Sequence, residues 1–183
     1  MSATSTPLVF THHLSSLEAD SIQSASRLTL ALTAQERTKT RHYFQAELAI
    51  LDQTSTEAGS MGLKGVYLRL PRGTVLQDGD RLTTTANDAI LAIVAKPEPV
   101  MTVAASNPAA NNTLALLKAA YHLGNRHVTL EVQETWLRFS PDPVLKHLLE
   151  QMGLTVTLEE TPFYPESGAY TSAQTHHHLH LCE

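Results

Sequence analysis

Four of the chain's ten histidines and its one cysteine fall in the stretch His176-His177-His178-Leu179-His180-Leu181-Cys182-Glu183. Neutral imidazole is the commonest protein metal ligand and suits nickel, copper and zinc. Its pKa of about 6.5 leaves most of it free to bind at neutral pH. A donor cluster on a terminal stretch points to capture and hand-over of a metal ion. A catalytic centre would need its ligands held in fixed geometry. Two plainer readings stand beside this one. Histidine runs serve as purification tags, although a tag is usually unbroken and this run is interrupted by Leu179 and Leu181. Such runs also scavenge metal without purpose.

A second candidate ligand is His127, which follows Gly124-Asn125 and precedes Val128. If Val128, Leu130 and Val132 face a core, then His127, Thr129 and Glu131 face away from it. A two-fold axis beside that surface would bring two copies of His127 together, since a symmetric dimer presents one patch twice. Two such imidazoles form half of a metal site; the alternative is a polar residue at a strand end with no role. From Tyr170 to His176, a coil has an end-to-end distance of roughly 13–15 Å. Tethered histidines act at ~mM effective concentration when reach matches the gap. His176, His177, His178 and His180 are therefore expected to complete coordination around the His127 pair and then let go. Copper should bind such nitrogen ligands more tightly than nickel, and zinc competes, so affinity does not name the metal.

The remaining donors receive plainer readings. His12 and His13 are adjacent in an apparently irregular segment, and His42 lies near the basic Arg37, Lys39 and Arg41. His122 falls in a last helical turn, where a cationic residue suits the dipole. His147, beside Lys146, should face water. Cys182 offers a thiolate to a metal or a link between two tails, and it lacks a CxxC partner.

Several function classes are disfavoured. Net charge is −5 with no lysine or arginine block, which argues against nucleic acid. No apolar run approaches the ~20 residues that cross a bilayer. No secretory signal is evident in Met1-Ser2-Ala3-Thr4-Ser5-Thr6, and one cysteine builds no disulfide framework, so a cytoplasmic protein is expected. GxGxxG, phosphate-loop, GxSxG and HExxH patterns are missing, so no enzyme is expected. Asp78-Gly79-Asp80 reads as a turn, since it lacks the further ligands of a calcium loop.

The elements that must position these residues divide near Lys96-Pro97-Glu98-Pro99, where prolines interrupt regular structure. Before it, Arg27 to Leu32 and Val66 to Leu70 alternate with a period of two, and Ala89 to Ala95 reads as a buried strand. Gln77-Asp78-Gly79-Asp80 suggests a hairpin between Val75-Leu76 and Arg81-Leu82. Asp52 to Lys64 reads as loop, and Thr11 to Ser26 is ambiguous. After the division, the expected order is a strand at Val100–Ala104 and a helix capped by Asn107-Pro108. That helix carries a one-sided stripe of Leu114, Leu117 and Tyr121 and stops at Gly124 in left-handed conformation. Strands at Val128–Val132 and Trp136–Phe139 follow. Asp142-Pro143 opens a second helix with Val144, Leu145, Leu148, Leu149 and Met152 on one face; Gly153 ends it. Leu154, Val156 and Leu158 then mark the last strand. The expected fold class is α+β: a small all-β domain (1–97), a ferredoxin-like βαββαβ domain (98–160) and a flexible histidine-containing tail (161–183). Both helices should cover one sheet face. The proline- and glycine-containing segment beyond Glu160 is expected to pack poorly.

Three separated motifs carry a resemblance. They are Leu70-Pro71-Arg72-Gly73-Thr74-Val75-Leu76-Gln77-Asp78-Gly79-Asp80, Tyr121-His122-Leu123-Gly124-Asn125-Arg126-His127, and Pro162-Phe163-Tyr164-Pro165-Glu166-Ser167-Gly168-Ala169-Tyr170. In this order, and with the tail, the chain resembles the urease accessory nickel chaperone family, the E-type accessory protein. The resemblance implies a peptide-binding-like first domain and a ferredoxin-like metal-binding and dimerisation domain. It implies that His127 is an interface ligand contributed by both subunits and that the tail histidines add ligands. It further implies a homodimer that delivers Ni2+ to the urease apoprotein alongside the accessory GTPase, without turnover chemistry. Some family members carry histidines in the turn after the third strand of the metal domain. Here that turn reads Arg138-Phe139-Ser140-Pro141-Asp142, which implies fewer bound ions. The competing reading is a metal- or ligand-sensing regulator built on a ferredoxin-like dimer.

Overall fold

The computed structural model describes residues 6–22, 25–48, 62–105 and 112–167. In the first half, six strands close into a barrel: β1 (Leu8–Leu14), β2 (Ser26–Leu32), β3 (Arg41–Leu48), β4 (Leu63–Arg69), β5 (Arg81–Thr84) and β6 (Ala89–Ala95). Their order is β1-β4-β3-β2-β6-β5, with β5 returning to β1. The alternation of Leu28, Leu30 and Leu32 against polar neighbours sends one side of β2 inward. There it meets Phe10, Leu68, Leu91 and Ile93.

Two parts of this half differ from the sequence reading. The described part of Thr11 to Ser26 is structured: it holds most of β1, including His12 and His13, and helix α1 (Ser16–Ser21). Ser15 and Glu18 close a capping box at the start of α1, as Thr33 and Glu36 do for α2 (Ala34–Arg37). The turn at Gln77–Asp80 forms, but no strand precedes it. Leu76 packs into the barrel core and its N–H donates to the Arg37 carbonyl at 3.0 Å. Asp80 and Asp78 tie the turn down by accepting from the Gln77 and Ala95 N–H groups, each at 2.7 Å. Gly79 supplies the positive φ of 86°. Most of the expected loop at Asp52 to Lys64 lies outside the described residues; Leu63 and Lys64 are in β4.

The second half runs β7 (Glu98–Ala105), α3 (Asn112–Gly124), β8 (Glu131–Val132), β9 (Trp136–Phe139), α4 (Pro143–Gln151) and β10 (Leu154–Thr161). The strands form one antiparallel sheet in the order β10-β7-β9-β8. One face packs Val103, Leu137 and Phe139 against Leu116, Ala119 and Leu123 of α3 and Leu149 of α4. Asp142 starts α4 by accepting from Val144 and Leu145 N–H groups at 2.8 and 3.0 Å, and Gly153 follows it at φ 79°. The Asn107-Pro108 cap lies outside the described residues. Val144 and Leu158, expected in the core, are exposed.

Residues 162–166 do not pack poorly. Phe163 is 2% exposed and closes a small core with Ala34 of the barrel side and Val100 of the sheet. A single aromatic side chain seated between two layers outweighs the loop-like composition around it. The Arg37 guanidinium donates to the Phe163 carbonyl and stacks over the Tyr164 ring at 5.2 Å. Ala34 N–H donates to Glu98 Oε1 at 2.6 Å across the same junction.

Candidate metal centre

His127 sits at the end of α3, and the helix stop is built differently from expectation. Gly124 is still helical; His127 takes the left-handed conformation, at φ 55°. The His127 N–H donates to the Gly124 carbonyl at 2.9 Å, and the Val128 N–H to the Leu123 carbonyl at 3.1 Å. These two bonds define a Schellman stop with His127 in the place glycine usually takes. Val128 then packs with Leu123 in the core, which completes the motif. The hydrophobic register of Leu123 and Val128 thus forces the backbone at 127 into a conformation unfavourable for a side chain. His127 is exposed, on a turn at the head of the segment leading to β8.

The strand expected over Val128–Val132 is reduced to Glu131–Val132. Glu131 is turned away from the helices, as expected, yet it is only 5% exposed. It lies in a polar row across all four strands: Thr157, Thr102, Arg138, Glu131. Arg138 donates to Thr102 Oγ1 at 3.1 Å and reaches both Glu131 and Glu159 at 3.4 Å. Its guanidinium also lies over the Trp136 ring at 4.3 Å. The Tyr164 N–H also donates to the Glu131 carboxylate, at 3.1 Å. This carboxylate therefore joins the sheet to the segment that leads into the tail.

That segment runs beside the His127 loop. Glu166 N–H donates to the Leu130 carbonyl at 2.7 Å, three residues beyond His127. Tyr164 Oη donates to Asp78 Oδ2 at 3.2 Å. Partial desolvation and then the Asp78 charge push the Tyr164 phenol above its ordinary value, which keeps it a donor at neutral pH. Sequence reading missed Glu131, Arg138 and Tyr164 as a group. The pairing of 131 with 138 follows from strand register, and nothing in their spacing announces it.

The stripe Leu114, Leu117, Tyr121 exists, but it faces outward. These side chains are 51%, 62% and 66% exposed. The core instead takes Leu116, Ala119, Ala120 and Leu123. At 3.6 residues per turn the two apolar faces lie roughly 140° apart around α3. Lys118 and His122 line a groove of about 460 Å³ with Leu114, Ala115 and Met152.

His176, His177, His178, His180 and Cys182 lie outside the described residues. Among the described residues, no three His, Cys, Asp or Glu side chains converge into a metal-holding group. His12, His13, His42, His122 and His147 are exposed and separate; His42 packs edge-on to Phe44 at 4.7 Å, and His147 lies 3.0 Å from Gln151. No helix among the described residues is long and apolar enough to cross a membrane.

Residues 98–182 match the family model described as the UreE urease accessory protein, C-terminal domain. A urease accessory protein UreE of Nostoc sp. (strain PCC 7120) is 50% identical over 156 residues, covering 85% of this chain and 90% of the relative. The protein of that name from Nostoc punctiforme is 51% identical over 152 residues, 83% of this chain and 88% of its own. The Aliivibrio fischeri relative is 37% identical over 160 residues, 85% and 86% of the two chains.

Proposed function

The chain belongs to the urease accessory protein UreE family, and from that premise we propose that it acts in urease maturation as a nickel-carrying homodimer. The ion is cargo, held between the His127 side chains of two subunits and closed by His176, His177, His178 and His180. The protein hands Ni2+ to the urease apoprotein complex with the accessory GTPase and performs no turnover chemistry. Zn2+ and Cu2+ compete for the same nitrogen ligands.

The observation that carries this reading is the outward apolar face of α3. Leu114, Leu117 and Tyr121 line the helix whose end bears His127. A second copy packed on that face would bury them and set two imidazoles near one axis. One exposed imidazole per chain is too few for a site, and a pair plus tail donors is enough for weak, exchangeable binding. The tail is launched from the correct side. Ten peptide links join Glu166 to His176, and a coil of that length spans roughly 16–19 Å. The ferredoxin-like reading of 98–160 is supported by the strand order, with both helices on one face. The reading of 1–97 as a separate domain is supported by the barrel's own core.

Calorimetric nickel titration at a mass measured by light scattering tests this. The expected result is one tight ion per two chains, lost in His127→Ala. Truncation after Tyr170 should weaken binding and lower stoichiometry. Unchanged tight binding in His127→Ala would remove the proposal.

A further inference from the structure

We propose that the outer face of β3 and β4 is a docking surface for an acidic segment of a partner protein. Arg41 and Arg69 stand directly opposite each other in the β3–β4 ladder, and both are exposed. Like charges so placed destabilise a sheet. Lys39 and Arg72 add to the same end, because the Leu70 N–H donates to the Thr40 carbonyl at 2.9 Å and joins the two chain segments there. None of the four has an ion-pair partner among the described residues. A chain of net charge −5 thus gathers four cations at one end of a ribbon with no ion pair to any of them among the described residues.

The next residues on that face are aromatic. Tyr43 is opposite Tyr67, and Tyr43 is 48% exposed. Its ring lies against Gly65: a Cβ there would meet Tyr43 Oη at 2.6 Å and the ring at 3.1 Å. Glycine at 65 therefore lets the phenol lie down on the ribbon. Tyrosine and arginine are the side chains that most often dominate binding energy at interfaces.

β4 is bonded to β3 and β1, whereas β3 meets β2 only at Leu48 and Glu47, opposite Leu28 and Thr29. At the Arg41–Arg69 end the charged side chains, rather than an added strand, are what select an acidic partner. Guanidinium groups favour carboxylates, which they grip in bidentate fashion. A nucleic acid would also present anions, but it needs a longer basic stripe than four cations at one end of a ribbon.

The test uses the full chain and a fluorescein-labelled peptide rich in glutamate with one leucine, followed by anisotropy. Binding should appear at low salt, weaken as salt rises, and fail for the lysine counterpart of the peptide. Arg41→Glu/Arg69→Glu should weaken it by roughly tenfold or more. Lys96→Glu, an exposed charge elsewhere on the barrel, should leave it within about twofold. Arg41→Ala/Arg69→Ala guards against misfolding: it should melt no lower than the parent, because repulsion is relieved, and still lose the peptide. Equal affinity in either double variant, or tighter binding of charge-matched single-stranded DNA, would overturn the proposal. Nickel stoichiometry should be unchanged in both variants, which keeps this surface distinguishable from the metal reading; a parallel loss would overturn it.

Discussion

In the barrel, every strand is hydrogen-bonded on both sides and the large apolar side chains meet one another inside. In the four-stranded sheet, two strands are edges, and α3 covers the core with one apolar face while presenting another to solvent. The barrel gathers most of its large apolar side chains inside, with scattered exceptions such as Leu63 and Val94, and carries its unpaired cations at one end. The sheet and its helices leave apolar area that a second molecule would cover. Two small units of one chain therefore differ in what they demand from the outside: counter-charge for one, a matching hydrophobic surface for the other.

The contrast breaks most visibly at leucines. Leu68→Ala, at a fully buried barrel position, should cost about 2–5 kcal/mol in urea unfolding, the transfer and cavity terms together. Leu117→Ala should cost the isolated chain under about 0.5 kcal/mol, as exposed substitutions do, while shifting sedimentation toward monomer. Equal losses at the two sites would erase the distinction. Next comes the joint between the regions. Glu131→Ala strands the Tyr164 N–H and takes one of two carboxylates from Arg138, and should cost about 1–3 kcal/mol. The loss should be largely shared with Arg138→Ala in a double-mutant cycle, and additive costs would contradict the network.

A smaller effect has the opposite sign. His127→Gly removes a side chain from a left-handed position, so it should stabilise the fold by about 0.5–1 kcal/mol while abolishing the tight nickel site. Destabilisation would show that the imidazole makes contacts the fold needs. The smallest effect is in α1. The Ser15 hydroxyl and then its N–H hold the Glu18 carboxyl below its ordinary value. The cap favours the ionised form. Its contribution is complete above 4.5 and fades as pH falls through the lowered folded value. The Ser15 amide resonance should titrate below 4.5, and a midpoint above it would contradict the box.

Strands with clean alternation were legible: Leu28, Leu30 and Leu32 mark β2, and Ala89 to Ala95 marks β6. β3 was not, because Arg41, His42, Tyr43 and Gln45 are on the outside or the rim and only Phe44 and Ala46 mark its inner side. Ser15 with Glu18 and Thr33 with Glu36 are capping boxes legible in the spacing alone. The α3 stripe is legible, but the direction it faces is not, since a helix apolar on two faces gives periodicity no means of choosing. His127 was legible as a candidate ligand; its backbone was not, because Gly124 offered a simpler stop and the choice depended on Leu123 and Val128 meeting in the core. The tail donors are legible only as composition.

The seat of Phe163 has a practical consequence for anyone shortening the chain. Cutting ahead of it takes out the wedge between Ala34 and Val100 and strips Arg37 of the carbonyl it holds. A chain trimmed there loses this joint together with the tail, so any change in its behaviour cannot be assigned to the histidines alone. Trimming beyond Ser167 spares the wedge and asks only about the donors.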